Sequence, residues 1–115
     1  MQYALLIYEK PGAYEALGED ERTAISQEYW ALREEPGILG GAGLLPTSAA
    51  TTVRQQDGQA LITDGPFADT KEVFAGFYLL DVDDLDAALT FAGRLPVVRL
   101  GGSVEVRPVR EGPRS

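Results

Sequence analysis

A chain of 115 residues holds one hydrophobic core, and 44% apolar residues are enough to fill it. With 18 Asp and Glu against 10 Lys and Arg the net charge is −8, and such a surface repels a phosphate backbone, so nucleic acid is not an expected partner. Cysteine and histidine are both absent, which excludes disulfides, thiolate nucleophiles, imidazole bases and the usual zinc, copper and haem ligands.

Carboxylates alone can still bind Mg²⁺ or Ca²⁺, but no EF-hand spacing occurs, and neither a metal site nor a cofactor is expected. No apolar run approaches the ~20 residues that span a bilayer. Met1 to Lys10 lacks the basic start and cleavage site of a signal peptide. A cytoplasmic protein without a membrane partner is the expectation.

Gln2 to Tyr8, QYALLIY, is rich in strand formers. Tyr3, Leu5 and Ile7 share one face, and Ala4, Leu6 and Tyr8 the other. Both faces are apolar, so the strand should be central and covered twice. Glu9 to Gly18 is a loop with Pro11 and Gly12. Glu19 to Glu35 is a helix: Glu19, Asp20 and Glu21 complement the dipole of its first turn. Ile25, Tyr29 and Leu32 form its buried stripe, and Pro36 and Gly37 end it.

Ile38 to Leu45, ILGGAGLL, is a strand whose glycines imply a bulge or close approach to another backbone. It precedes no helix and carries no following Lys-Ser/Thr, so it is not a phosphate loop. Thr51 to Thr63 is a β-hairpin turning at Asp57-Gly58. Val73 to Val82 is a second strand apolar on both faces. Asp83 then caps a helix of about ten residues with Leu85, Ala88, Leu89 and Ala92 as its apolar stripe, closed by Gly93 and Pro96. Asp81, Asp84 and Asp86 suit this helix start better than a metal. Ser103 to Val109 alternates, with Val104 and Val106 inward. One domain over residues 1–110 and a flexible tail over 111–115 are expected.

The order β-α-β, inserted hairpin, β-α-β matches the split βαβ, ferredoxin-like α+β plan, in which the first and third principal strands are the central pair. Two helices cover only one face of such a sheet. The other face exceeds the apolar patch that a soluble monomer tolerates, so a second copy related by a two-fold axis is expected to cover it.

The segment DGPFADTKEVFAGFYLLDVDDLDAALTFAGRLP, Asp64 to Pro96, closely resembles the signature of the YCII-related, or DGPF-domain, family. MQYALLIYE at the start, GGAGLLP at Gly40 to Pro46, TTVR at Thr51 to Arg54 and GSVEVRPV at Gly102 to Val109 match as well. The resemblance implies a ferredoxin-like domain that dimerises by sheet packing into an α+β barrel. Some relatives have folds like muconolactone isomerase and are suspected enzymes, whereas others lie beside ECF-type sigma factors and are suspected regulators. The His-Asp pair of YCII-like members cannot be carried over to a chain without histidine, and Ala42 stands where the family often has Glu.

The turn Asp64-Gly65-Pro66-Phe67 has two readings. As a corner, Pro66 fixes φ and pushes Gly65 into an extended conformation, Asp64 bonds the backbone ahead, and Phe67 plugs the core. As a site, Asp64, Asp69, Lys71 and Glu72 form a charged cluster, in which a buried carboxylate is a general base and the ammonium steadies an anionic substrate. Tyr8 and Tyr78 are candidate hydrogen-bond donors to a ligand, Phe67 an apolar contact and Arg54 an anion contact. Two functions follow. One is a small-molecule binder, with carboxylate acid-base chemistry, whose pocket lies between sheet and hairpin. The alternative is a non-enzymatic interaction module with a sigma factor partner. These residues leave open whether the chain is an enzyme.

Overall fold

The structure is a computed structural model that describes residues 1–66 and 71–112. In chain order the elements are β1 (Gln2–Glu9), α1 (Glu19–Arg33), β2 (Ile38–Gly43), a 3₁₀ turn (Thr47–Ala49), β3 (Thr51–Gln56), β4 (Gln59–Asp64), β5 (Val73–Asp81), α2 (Leu85–Gly93), α3 (Pro96–Arg99) and β6 (Ser103–Pro108). Four strands form one sheet in the order β2-β5-β1-β6, with every neighbouring pair antiparallel. This is the ferredoxin-like α+β plan, with the β3–β4 hairpin inserted ahead of β5. The two strands apolar on both faces, β1 and β5, occupy the centre.

One face of the sheet is covered by the helices. Tyr3, Leu5 and Ile7 of β1 and Tyr78 and Leu80 of β5 are buried there against Leu32 of α1, Ala88, Phe91 and Ala92 of α2, and Leu95 and Val97. Leu5 and Leu80 are completely inaccessible. Paired Arg-carboxylate forks hold the helices together. Arg99 donates to both oxygens of Glu28 at 2.7 and 2.8 Å, and Arg94 donates to both oxygens of Glu35. Those hydrogen bonds hold both glutamates below the ordinary carboxylate range.

Several local expectations shift in the structure. Asp84, not Asp83, caps α2: its side chain accepts from the Ala87 N–H at 2.9 Å. The buried face of α2 is Ala88, Phe91 and Ala92, while Leu85 and Leu89 are about half exposed. Pro96 does not merely end a helix. It is the first residue of α3, where its missing N–H costs nothing. Strand β2 stops at Gly43, and the chain forms the 3₁₀ turn soon after.

The glycine strand behaves as its composition implied. A bulge separates Ile38 from Gly40, and a Cβ on Gly41 would lie 2.5 Å from the Phe77 carbonyl. The hairpin turn is also as expected: Asp57 and Gly58 have φ of 52° and 80°, the pair of positive values that a type I′ turn requires. Gly65 is not extended in the ordinary sense. Its φ is +103°, its N–H donates to the Ala50 carbonyl at 2.7 Å, and its own carbonyl accepts from the Thr52 hydroxyl at 2.7 Å. Only glycine adopts that backbone readily, so the corner rests on Gly65 and these two bonds as well as on Pro66. Phe67, the expected plug, lies outside the described residues.

On the sheet face away from the helices, Leu6 pairs with Phe77 and Ala4 with Leu79. These side chains and Tyr8 are only half buried, and Phe74 is exposed. The hairpin forms its own two-stranded sheet, on which Val53 and Ile62 are each about two-thirds exposed. The molecule measures 46 × 45 × 21 Å, a slab one sheet and one helix layer thick.

Candidate functional site

A cavity of about 540 Å³ lies on the helix side of the sheet, toward the β2 edge. Its floor is Ile7 and Glu9 of β1, Gly41 to Gly43 of β2 and Val73 to Tyr78 of β5. Ser26, Tyr29, Trp30 and Arg33 of α1 form one wall, and Pro11, Gly12, Tyr14 and Glu15 of the loop after β1 form the rim. Those four α1 residues are spaced i, i+3, i+4 and i+7, so a single helical stripe faces the cavity. This cavity lies between sheet and α1, whereas the sequence placed a pocket between sheet and hairpin.

Glu9 is its distinctive group. It ends β1 opposite Val73 and is half buried. Burial, and after it the negative charge of Glu15, raises its carboxyl above the ordinary value of 4.5. The sequence contained the signal. Tyr3, Leu5 and Ile7 point to the helices, and the same period of two carries Glu9 to that side. Placing Glu9 at the start of a loop hid it.

Two tyrosines build the inner wall. The Tyr78 hydroxyl donates to the Tyr29 carbonyl at 2.6 Å, and the Tyr29 hydroxyl accepts from the Val97 N–H at 3.1 Å. Their rings stack at 6.4 Å. Burial pushes both phenols up to about 12, so neither is a base near neutral pH. On the outer wall the Arg33 guanidinium lies 5.0 Å from the centre of the Trp30 ring.

A second hollow, about 730 Å³, opens on the other face between the sheet and the base of the hairpin. Tyr8, Pro66, Glu72, Val73 and Phe74 line it together with the chain from Leu44 to Thr47. Glu72 also accepts a 2.6 Å hydrogen bond from Ser103 across the sheet.

The residues singled out from sequence are thus divided. Tyr78 lines the first cavity, with its hydroxyl proton directed to Tyr29. Tyr8 and Glu72 line the second hollow. Arg54 is exposed on β3, Asp64 is exposed at the end of β4 paired with Thr51, and Lys71 is exposed before β5; none of the three lines either hollow. Asp69 and Phe67 lie outside the described residues. Among the described residues no three carboxylates are placed to hold a metal ion, and no helix is long and apolar enough to cross a membrane.

The model of the YCII-related domain matches residues 1–112. The chain belongs to the YCII-related family. A relative in this family, an uncharacterised protein of Rhizobium meliloti (strain 1021), is 41% identical over 114 residues, covering 95% of this chain and 92% of that protein. Among solved structures, the chain is similar to 5-chloro-2-hydroxyhydroquinone dehydrochlorinase of Burkholderia phenoliruptrix AC1100, solved in complex with 2,5-dihydroxybenzoquinone. The TM-score is 0.57 at 16% identity, over 97% of this chain and 96% of that one. At that identity the likeness concerns the fold, and it agrees with the ferredoxin-like topology described above.

Proposed function

We propose that this YCII-related protein binds a small molecule in the cavity between α1 and the sheet, and that Glu9 takes up or releases a proton there. The observation that carries this reading is a half-buried carboxylate with a raised pKa on the floor of a cavity of about 540 Å³. That volume falls among those of small-molecule sites, and a mostly apolar lining with few polar groups is their usual character. A raised pKa makes the carboxylate a stronger base than an exposed one. With no histidine or cysteine in the chain, a carboxylate is the natural proton carrier. A neighbour of the same fold is a dehydrochlorinase solved with a hydroxylated quinone, which supports the idea that this architecture accommodates small ligands.

The working form we propose is a homodimer, in which a second copy covers Leu6, Tyr8, Phe77 and Leu79. A polar fragment library screened by thermal shift, with hits mapped by amide NMR, tests the binding reading. The expected result is a cluster of shifts at Ile7, Glu9, Tyr29 and Gly43. Hits that perturb only the open face or the hairpin would overturn it and favour an interaction module.

A further inference from the structure

One cation lines the cavity, Arg33 of α1. Other arginines are committed: Arg94 and Arg99 each grip a carboxylate with two bonds, and Arg22 donates to the carbonyls of Glu15 and Leu17. Arg33 donates to no acceptor among the described residues, although the chain carries eight more acids than bases. It is half buried, and its guanidinium carbon lies 5.0 Å from the centre of the Trp30 ring. A cation–π contact engages the charge of a guanidinium and leaves its N–H donors available. Arg33 is therefore held at the cavity wall without being neutralised by a paired carboxylate among the described residues.

The floor opposite supplies a second observation. Three of its residues are glycines, for two different reasons. A Cβ on Gly41 or Gly76 would lie 2.5 or 2.7 Å from a carbonyl of the adjacent strand, so close strand packing excludes a side chain there. A Cβ on Gly43 would meet nothing within 4 Å, and its φ is not in the left-handed region. Backbone geometry does not demand glycine at position 43. Gly43 pairs with Gly76, which in turn faces Ile7 on the helix side, so a side chain there would occupy the cavity.

We propose that the ligand of this cavity is a planar monoanion: its charged oxygens pair with the free edge of Arg33, and its ring lies on the side-chain-free floor at Gly43. The side-chain-free strand backbone there favours a planar body over a bulky one. The acidic surface, and Glu9 and Glu15 in the cavity itself, disfavour anions in general, so selection depends on the local fork of Arg33. This ligand class rests on the cavity being the binding site.

The test is NMR titration of the intact chain with benzoate, with benzamide as its neutral isostere and cyclohexanecarboxylate as a non-planar anion. Benzoate is expected to shift cavity amides and to bind more tightly than either control. Arg33→Gln should weaken benzoate roughly tenfold or more and leave benzamide unchanged, the loss of a charge-assisted bond pair. Arg33→Lys keeps the charge without the fork and should fall between. Equal affinity for benzoate and benzamide, unaffected by Arg33→Gln, would overturn the Arg33 assignment and leave the cavity as the site. Cyclohexanecarboxylate binding as well as benzoate would overturn the planar requirement. No shift of any cavity amide by any of the three would overturn both the ligand class and the cavity reading.

Discussion

The hydroxyl of Tyr78 donates to the carbonyl of Tyr29 at 2.6 Å, joining the central strand β5 to the middle of α1. The bond crosses the inner wall of the cavity and sets the spacing of helix and sheet beside it. Removing it by Tyr78→Phe is expected to cost about 1 kcal/mol, the usual net value of an intramolecular hydrogen bond. The ring and its edge contact with Phe91 at 5.6 Å remain. Urea unfolding of the two proteins measures the difference, and an unchanged midpoint would show that the bond does not support the wall.

Glu9 makes stability depend on pH in a defined direction. Its folded-state pKa is raised, so the folded chain holds its proton more tightly than the unfolded chain does. The favourable contribution of the protonated form is full below the ordinary value of 4.5 and is lost as pH rises through the raised value. Glu9→Gln should remove this dependence and make the protein more stable than the wild type at pH 7. Thermal melts of both proteins at several pH values check it; parallel curves above pH 4.5 would contradict the burial of this carboxylate.

Gly43 and Gly76 should respond oppositely to an added side chain. Gly76→Ala places a methyl group 2.7 Å from the Ala42 carbonyl and is expected to destabilise by about 1–3 kcal/mol. Gly43→Val meets open space, and a β-branched residue suits a strand, so stability should be unchanged or slightly raised. The same change fills part of the cavity and should abolish ligand shifts. Retained ligand binding in a folded Gly43→Val protein would show that the floor is not where the ligand lies.

A homodimer should elute at twice the chain mass of 12.4 kDa in gel filtration with light scattering. Leu79→Glu puts a charge among the half-buried side chains of the open face and is expected to yield monomers that are still folded by circular dichroism. A wild-type mass equal to one chain at micromolar concentration would refute the dimer.

Alternation along β1 and β5 was enough to place both at the centre of the sheet, because only central strands need apolar residues on both faces. Asp57-Gly58 determined the hairpin, since few other pairs accept two positive φ values. The cavity was not legible in the same way. It forms where α1 crosses the β2 edge, and crossing geometry is not written in local periodicity. Even so, Glu9 and Arg33 could be found: each continues a face whose other members were already assigned. The charged cluster after Pro66 drew the eye because its residues are adjacent in sequence, yet Asp64 and Lys71 line neither hollow. Adjacency says little about convergence when successive side chains point to opposite faces. Asp83 and Asp84 are equally good caps by residue type, and only the backbone decides between them.

The irregular pairing of β1 with β5 matters beyond its own hydrogen bonds. Ile7 pairs with Gly76 but Tyr8 pairs with Phe74, so Ala75 is an extra residue in the ladder. Strict alternation would put Phe74 on the side of Gly76 and Tyr78; the extra residue turns it toward Tyr8 instead, with the two rings 5.6 Å apart. A one-residue insertion between Ile7 and Tyr8 would give Ala75 a partner and carry both rings to the helix side, while turning Glu9 to the open face. The ring content of the cavity floor and the position of its carboxylate are therefore coupled through the register of one strand pair.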